Sequence, residues 1–367
     1  MRFLFKLVRP TIFLLTLFAF LLLIISIYLV FNDGVAKRNR ILGIMHLAGV
    51  REELDLLERA KTPKSFMDSE QLIMFLFNNA DGNKQLQNSF TMCLTSLFSK
   101  ASNPQALHFY IAGDVESYYI AKTVIQSIAK KIGIHNQIMV SYQNISQLED
   151  NVLDTIHTVR QQISSGKEHR FSSPLFYLSI ILHKVMPHNV SQIILLDVDL
   201  VIASDISKLF SLFNNFDQEQ AIGIARENQP VYQTTLWEYR KNNPKTRVGE
   251  PPPKGLTGFN SGVVLFDLQK LRASSKYNSF LTEERMNALV QKYKFQGHLG
   301  DQDFYTLLSF DYEELFYILP CGWNRQLCQW WKHNGLGEKF DLYYNCSGVI
   351  HIWHGNCETS LLNYTTF

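Results

Sequence analysis

The sequence predicts an α/β fold: a Rossmann-like, mostly parallel sheet flanked by helices, carried on a single N-terminal transmembrane helix. Three observations lead there. Between residues 71 and 196, short apolar runs closed by Asn, Asp or Gly alternate with stretches of helical spacing, the pattern of a doubly wound sheet. The runs are apolar at nearly every position, as strands covered on both faces require. Residues 11–31 contain no charge and no helix breaker.

Composition narrows the function. The 367 residues carry 35 Lys+Arg against 33 Asp+Glu, a formal charge of +2, so the chain is not built to neutralise a nucleic-acid backbone. Its content of 46% hydrophobic and 13% aromatic residues supplies a core and excludes a disordered scaffold.

Taken in chain order, residues 1–10 read as a cytosolic tail and residues 11–31 as the anchor. At about 1.5 Å per residue that run reaches about 30 Å, the thickness of the hydrocarbon core. A cleaved signal peptide is the rival reading; the run is longer than such an apolar region, and Val30-Phe31-Asn32-Asp33 makes a poor cleavage site. Arg2, Lys6 and Arg9 precede the run while Lys37, Arg38 and Arg40 follow it, so charge alone votes weakly for a cytosolic N-terminus. Four sequons, at Asn144, Asn189, Asn345 and Asn363, and the clustered cysteines favour a type II protein with its bulk in the secretory pathway.

Residues 32–68 read as a stem, and residues 69–357 as the globular domain, followed by a tail at 358–367. Within the domain we expect strands at 71–77, 107–112, 137–141 and 192–196, with helices at 84–98, between 114 and 137, and a long one around 172–186. The loop Lys245–Gly258 holds Pro251, Pro252 and Pro253. Asn260-Ser261-Gly262 precedes a strand at 263–266, and Asp301 opens a helix. Cys321, Cys328, Cys346 and Cys357 suit two disulfides of undetermined pairing; a zinc site is the alternative, though no Cys-x2–4-Cys knuckle is present. Cys93 is expected to be buried and unpaired. Trp323 and Trp330 are expected to pack as core on the disulfides.

The sharpest chemical feature is Asp197-Val198-Asp199 at the end of the run Ile193–Leu196. Two carboxylates one residue apart on a strand share a side, and ligands of open α/β sheets sit at the carboxyl ends of strands. Such a pair suits Mn2+ or Mg2+, hard cations that also hold a diphosphate. The bland alternative is a solvated turn with an Asx cap.

Four pieces occur in order: the Asp-Val-Asp edge, Phe259-Asn260-Ser261-Gly262, Leu299-Gly300-Asp301-Gln302-Asp303 and Ile352-Trp353-His354-Gly355-Asn356. Together they resemble the retaining glycosyltransferases of the GT-A fold, family 8, the glycogenin-like group. The runs from Ala221 to Glu227 and Asn243 to Pro253, with Gly297–Asp303 and Trp323–Trp331, look like the xylosyl-transferring members of that family. The resemblance spans about residues 70–357.

It implies an α-1,3-xylosyltransferase moving xylose from UDP-xylose to xylosyl-glucose O-linked on EGF-like repeats, at the endoplasmic reticulum membrane. Asp197, Asp199 and His354 would hold Mn2+, with Mg2+ possible. Phe77, Asn78, Asn79, Val198, Arg226, Leu299 and Gln302 would bind the donor. Asn260, Asp301 and Gln302 would act on the sugar, with Gln302 beneath the anomeric carbon. Trp237, Trp331 and Asn356 would meet the acceptor, with Thr235–Glu238 touching its protein. His298 is a candidate for excluding hexoses, and His351 is read as structural. The family's arginine in the helix before the metal motif is missing from Phe176–Ile181. A different UDP-hexose donor, or an inactive sugar-binding or folding factor, are the competing readings.

Overall fold

In the computed structural model, which describes residues 70–164 and 173–365, the apolar run Gln71–Leu76 forms β1. The N-terminal tail, the anchor and the stem lie outside these residues, and no helix of the described residues is long and apolar enough to cross a membrane. β1 is followed by helix α1 (Lys84–Lys100), β2 (Leu107–Gly113), α2 (Val115–Lys131) and β3 (Met139–Asn144). Asn83 caps α1 by accepting from the Leu86 N–H, and Asp114 caps α2 by accepting from Ser117, each satisfying an amide that the helix start leaves unpaired. Helix α3 (Asp150–Ile163) follows.

The segment expected as one long helix is instead a 3-10 stretch, Pro174–Ile181, running into a single α-turn, Leu182–Val185; residue 172 lies outside the described part. From Leu175 to Leu182 almost every side chain is buried. With no solvent face, the run lacks the one-sided stripe that identifies a surface helix, and packing sets its winding.

β4 (Gln192–Leu196) lies beside β1 in parallel, and β2 and β3 continue the parallel half. The order is β3-β2-β1-β4-β7-β6-β8, with β6 at Ile222–Arg226, β7 at Phe259–Asp267 and β8 at Phe316–Leu319. β7 runs antiparallel to both β4 and β6, while β6 and β8 are parallel. The observed fold is thus α/β and GT-A-like, with a mixed, mostly parallel sheet. Alternate residues of β1 enter opposite cores: Ile73 and Phe75 pack with α1 and α2, Leu72 and Met74 with α3 and the 3-10 segment. This two-sided cover is why the strands read as continuous apolar runs.

Asn260, Ser261 and Gly262 lie inside β7, not ahead of it. Their polarity hides the strand in the sequence, yet pairing with β6 at Phe259–Asn260 and again from Val264 carries the strand through them. The register between the two shifts at Ile224/Ala225, where Ala225 faces Asn260 and Ile224 faces Val264. Such a bulge re-aims side chains locally, here at residues 261–263.

A second sheet, β5-β10-β9, contains Leu200–Ile202, Ile352–His354 and Arg325–Gln326. Its pairing sets His354 opposite Leu200, the residue after Asp199. The expected tail also packs on the domain as far as it is described: Leu361 is buried with Val201 and Leu327, and Tyr364 lies 4.4 Å from Trp353.

Candidate active site

β4 ends at Leu196 and β5 begins at Leu200, so both aspartates lie in the connection between strands rather than on one strand. Two backbone bonds shape that connection: the Asp197 N–H donates to the Gly262 carbonyl, and the Gly355 N–H to the Asp199 carbonyl, each at 2.9 Å. Helix α1 supports it with Cys93, whose buried thiol lies 3.9 Å from the Asp197 carbonyl oxygen; burial pushes that thiol's pKa far up.

His354 Nε2 sits 3.5 Å from Asp197 Oδ2 and 3.5 Å from Asp199 Oδ1. Among the described residues these three side chains form a group whose ligand atoms all lie within 4.8 Å of one another. His354 Nδ1 is 2.9 Å from Asn324 Oδ1. Because the Asn324 amide nitrogen donates to the Asn260 side-chain oxygen at 2.8 Å, its own oxygen must face the imidazole. Nδ1 therefore carries the proton and Nε2 is left as a ligand atom, the arrangement a metal-binding histidine needs. Burial pulls the imidazole pKa down, but Asp199, Asp197 and Glu227 outweigh it and raise it; a divalent cation among the three would relieve this excess of negative charge. Two carboxylates and one imidazole fit Mn2+ or Mg2+.

Helix α4 (Trp237–Asn242) and helix α5 (Asp301–Ser309) follow in the chain, and α5 opens next to this group. Asp301 Oδ1 accepts from the Ser261 hydroxyl at 2.8 Å, and Oδ2 accepts from the Ser179 hydroxyl. Burial pushes Asp301 up to about 6 despite those bonds. Each oxygen retains a lone pair for a sugar hydroxyl. Ser179 lies in the segment where the family's arginine is missing, and it bonds Asp301 directly. Gln302 Oε1 lies 3.4 Å from the Ser261 N–H, and its amide nitrogen donates to Glu227 and to the Tyr232 hydroxyl at 3.3 Å each. Asn260 donates to Glu227 at 3.2 Å and accepts from the Gly262 N–H at 3.2 Å. The structure thus brings Asp197, Asp199, His354, Asn260, Asp301 and Gln302 into one connected set.

Sequence reasoning missed Glu227, Asn324, Ser179, Ser261 and Tyr232. The available signal was a carboxylate closing the apolar strand at 222–226; Asn324 lies in the tryptophan-rich run and carried no such mark.

Other predicted residues fall elsewhere. Arg226, the last residue of β6, does not join the set. Its guanidinium donates to the Gly255 carbonyl at 3.2 Å and lines a cavity of about 50 Å3 with Glu313 and Ile318. The Phe77 ring is fully buried against Phe90, 4.5 Å away, which leaves only its backbone for a nucleotide. Asn78 keeps a buried side-chain oxygen without a hydrogen-bond partner. Asn79 takes a left-handed conformation, φ 54°, and its N–H donates to Asp114 at 2.6 Å. Gly113 backs this turn, where a Cβ would stand 1.9 Å from the Phe77 carbonyl oxygen. Val198 packs against the core on the α1 side and Leu299 against the opposite one, both partly buried. His298 is exposed.

Trp237 is 60% exposed at the start of α4. Trp331 is half-buried against the core on helix α6 (Trp330–His333). Trp330, expected as core, is 54% exposed because this short helix turns it outward, whereas Trp323 is buried and stacks on His351 at 4.1 Å. Asn356 spends its side-chain oxygen on the Leu327 and Cys328 N–H groups, both at 2.9 Å, leaving its amide nitrogen as the group to offer a substrate.

The cysteines pair as Cys321–Cys346 and Cys328–Cys357, and Cys93 is free and buried. Cys357 follows His354 by three positions, so the second disulfide fixes the segment carrying the imidazole. Replacing Cys328 and Cys357 together by alanine is expected to cost about 3 kcal/mol of stability and to weaken Mn2+ binding about tenfold. Denaturant unfolding and Mn2+ titration check both. Unchanged affinity for the metal would separate this disulfide from the site.

A mixed α/β sheet whose fourth strand leads into two aspartates that meet a histidine from β10, beside a buried Asn–Asp–Gln set, defines a nucleotide-sugar enzyme class. The chain belongs to glycosyltransferase family 8: the pattern described as Glycosyl transferase family 8 matches residues 84–340. Within that family it is a homologue of xyloside xylosyltransferase 1. It is 38% identical to the mouse protein over 291 residues, 79% of this chain and 74% of that protein, and the human protein matches to the same extent. The crystal structure of mouse xyloside xylosyltransferase 1 in its apo form superposes with a TM-score of 0.73, covering 79% of this chain and 99% of that one.

Proposed function

We propose that the protein is an Mn2+-dependent, retaining α-1,3-xylosyltransferase. Its donor is UDP-xylose and its acceptor the xylosyl-glucose O-linked on EGF-like repeats. It works as a type II membrane protein of the endoplasmic reticulum, its catalytic domain luminal. The observation that carries the reading is the convergence of Asp197, Asp199 and His354 beside Asn260, Asp301 and Gln302, in a chain 38% identical to a xyloside xylosyltransferase.

In the reaction, the bond from the anomeric carbon of xylose to the β-phosphate oxygen of UDP breaks. A bond from the acceptor hydroxyl oxygen to that carbon forms on the same face, and the acceptor proton passes to the departing phosphate oxygen. Asp197, Asp199 and His354 would hold the cation, which when bound neutralises charge on the diphosphate. Gln302 offers a carbonyl oxygen to the positive charge at the anomeric carbon; an amide is too weak a nucleophile for a lasting covalent intermediate. Asp301, held by Ser179 and Ser261, takes hydrogen bonds from the sugar hydroxyls. Asn78, whose buried side-chain oxygen has no hydrogen-bond partner, would meet the uracil or ribose. Trp237 and Trp331 supply aromatic faces for the acceptor.

The test incubates the full chain in detergent with UDP-xylose, Mn2+ and an EGF repeat bearing xylosyl-glucose, then weighs the product. A gain of one pentose, lost with chelator, is expected. Gain of a hexose from UDP-glucose or UDP-galactose instead would replace the donor. Absence of transfer from every donor would sink the enzymatic assignment in favour of a binding role.

A further inference from the structure

Glu227 takes no part in the steps above, yet both amides assigned to the sugar point at it. Its side chain is buried, and one oxygen, Oε2, accepts from Asn260 Nδ2 at 3.2 Å and from Gln302 Nε2 at 3.3 Å. The other, Oε1, is buried with no hydrogen-bond partner. Burial pushes the carboxyl up to about 7, against the bond from Asn260 and the attraction of His354. A proton, when bound, belongs on the unpartnered oxygen, so Oε2 remains an acceptor in either state.

A primary amide has two ends of nearly equal size and opposite polarity. Sterics do not choose which end faces a substrate; hydrogen bonding does. For Gln302 the second acceptor is the Tyr232 oxygen, 3.3 Å from Nε2, whose own proton goes to Asp303 Oδ1 at 2.8 Å. Asp303 is anchored in turn by the Leu299 and His298 N–H groups, both at 2.6 Å. The nitrogen of Gln302 is therefore held by two acceptors, and its oxygen is left on the side of Ser261. Asn260 obeys the same logic: its nitrogen goes to Glu227 while its oxygen accepts from Asn324 at 2.8 Å.

We propose that Glu227 is a positioning residue that fixes the polarity of the Gln302 amide, presenting its carbonyl oxygen rather than its NH2 group to the anomeric carbon. The inference rests on the sugar-transfer reading and assigns Glu227 no contact with substrate. A positively charged carbon is attracted by Oε1 and repelled by the NH2 hydrogens, so an amide free to turn loses transition-state stabilisation while substrate binding is kept. What Glu227 must supply is one acceptor oxygen, not a charge.

That distinction makes the test. In the full chain, Glu227→Leu keeps the volume and removes the acceptor, whereas Glu227→Gln can set its carbonyl at the Oε2 position and its NH2 at the unpartnered one. E227L is expected to lower kcat about 10²-fold with KM for UDP-xylose nearly unchanged, the loss that a displacement of about 1 Å produces. E227Q should retain most of the wild-type kcat. E227M is measured alongside, as an unbranched variant more easily accommodated. The proposal is overturned if E227L and E227M turn over like the wild type, or if E227Q is as impaired as they are. A wild-type chain active only with another UDP-sugar would refute the donor assignment alone, and the variant ratios would then be read with that sugar.

Discussion

Replacing Asp199 by asparagine is expected to lower kcat by about 10³-fold, roughly 4 kcal/mol of transition-state stabilisation, and to lower affinity for Mn2+. Asp199 Oδ1 stands 3.5 Å from His354 Nε2, on the far side of the imidazole from its Asn324 bond. Its carbonyl oxygen also takes the Gly355 N–H, so the backbone holds the residue in place whatever its side chain. The substitution keeps that bond and the side-chain shape, and removes one of two negative charges facing the cation. Loss of activity with an unchanged melting temperature would therefore report on the site and not on the fold. Transfer by the variant within threefold of wild type, at Mn2+ no higher than wild type requires, would remove Asp199 from the ligand set.

The second large effect is expected at Gly262, a residue that carries no functional group. A Cβ built there would stand 2.3 Å from His354 Cε1, 2.7 Å from Nδ1 and 3.1 Å from Asp197 Oδ2. The imidazole cannot withdraw without breaking its bond to Asn324, and Gly262 itself is tied to Asp197 through its carbonyl. Gly262→Ala should therefore push the ligands apart, lowering turnover about 10²-fold and stability by about 1–3 kcal/mol. Mn2+ titration with denaturant unfolding separates the two effects. Metal affinity and turnover like the wild type would show that the β7 bulge yields easily.

These two positions mark how much of the site the sequence disclosed. Asp199 was legible because Asp-x-Asp closes an apolar strand where ligands bind and is followed in order by the three other motifs. Gly262 was visible only as part of a quoted motif; its reason, contact with a histidine from a remote later strand, required the packed structure. Glu227 and Asn324 were harder still. Each is an ordinary polar residue by sequence, and each matters through the orientation it imposes on a neighbour. Arg226 shows the converse: a basic residue at the end of a strand beside the site, whose guanidinium is committed to the Gly255 carbonyl instead.

The fold divides along the same line. Local pattern alone determined the strands β1, β2 and β4, the helices α1 and α2, and the start of α5, because each depends on periodicity and turn chemistry within a few residues. Tertiary structure decided what depends on remote partners. The buried segment Pro174–Ile181 winds as a 3-10 helix because neighbours enclose it on all sides. Asn260–Gly262 are strand because β6 pairs on either side of the bulge they form and Asp197 bonds the Gly262 carbonyl, the disulfides are 321–346 and 328–357, and Trp330 faces solvent. Above all, the sheet β5-β10-β9 carries His354 to Asp199. A pairing between residues so far apart in the chain leaves no periodic trace in the sequence, since its free energy comes from contacts that exist only once the intervening chain has folded.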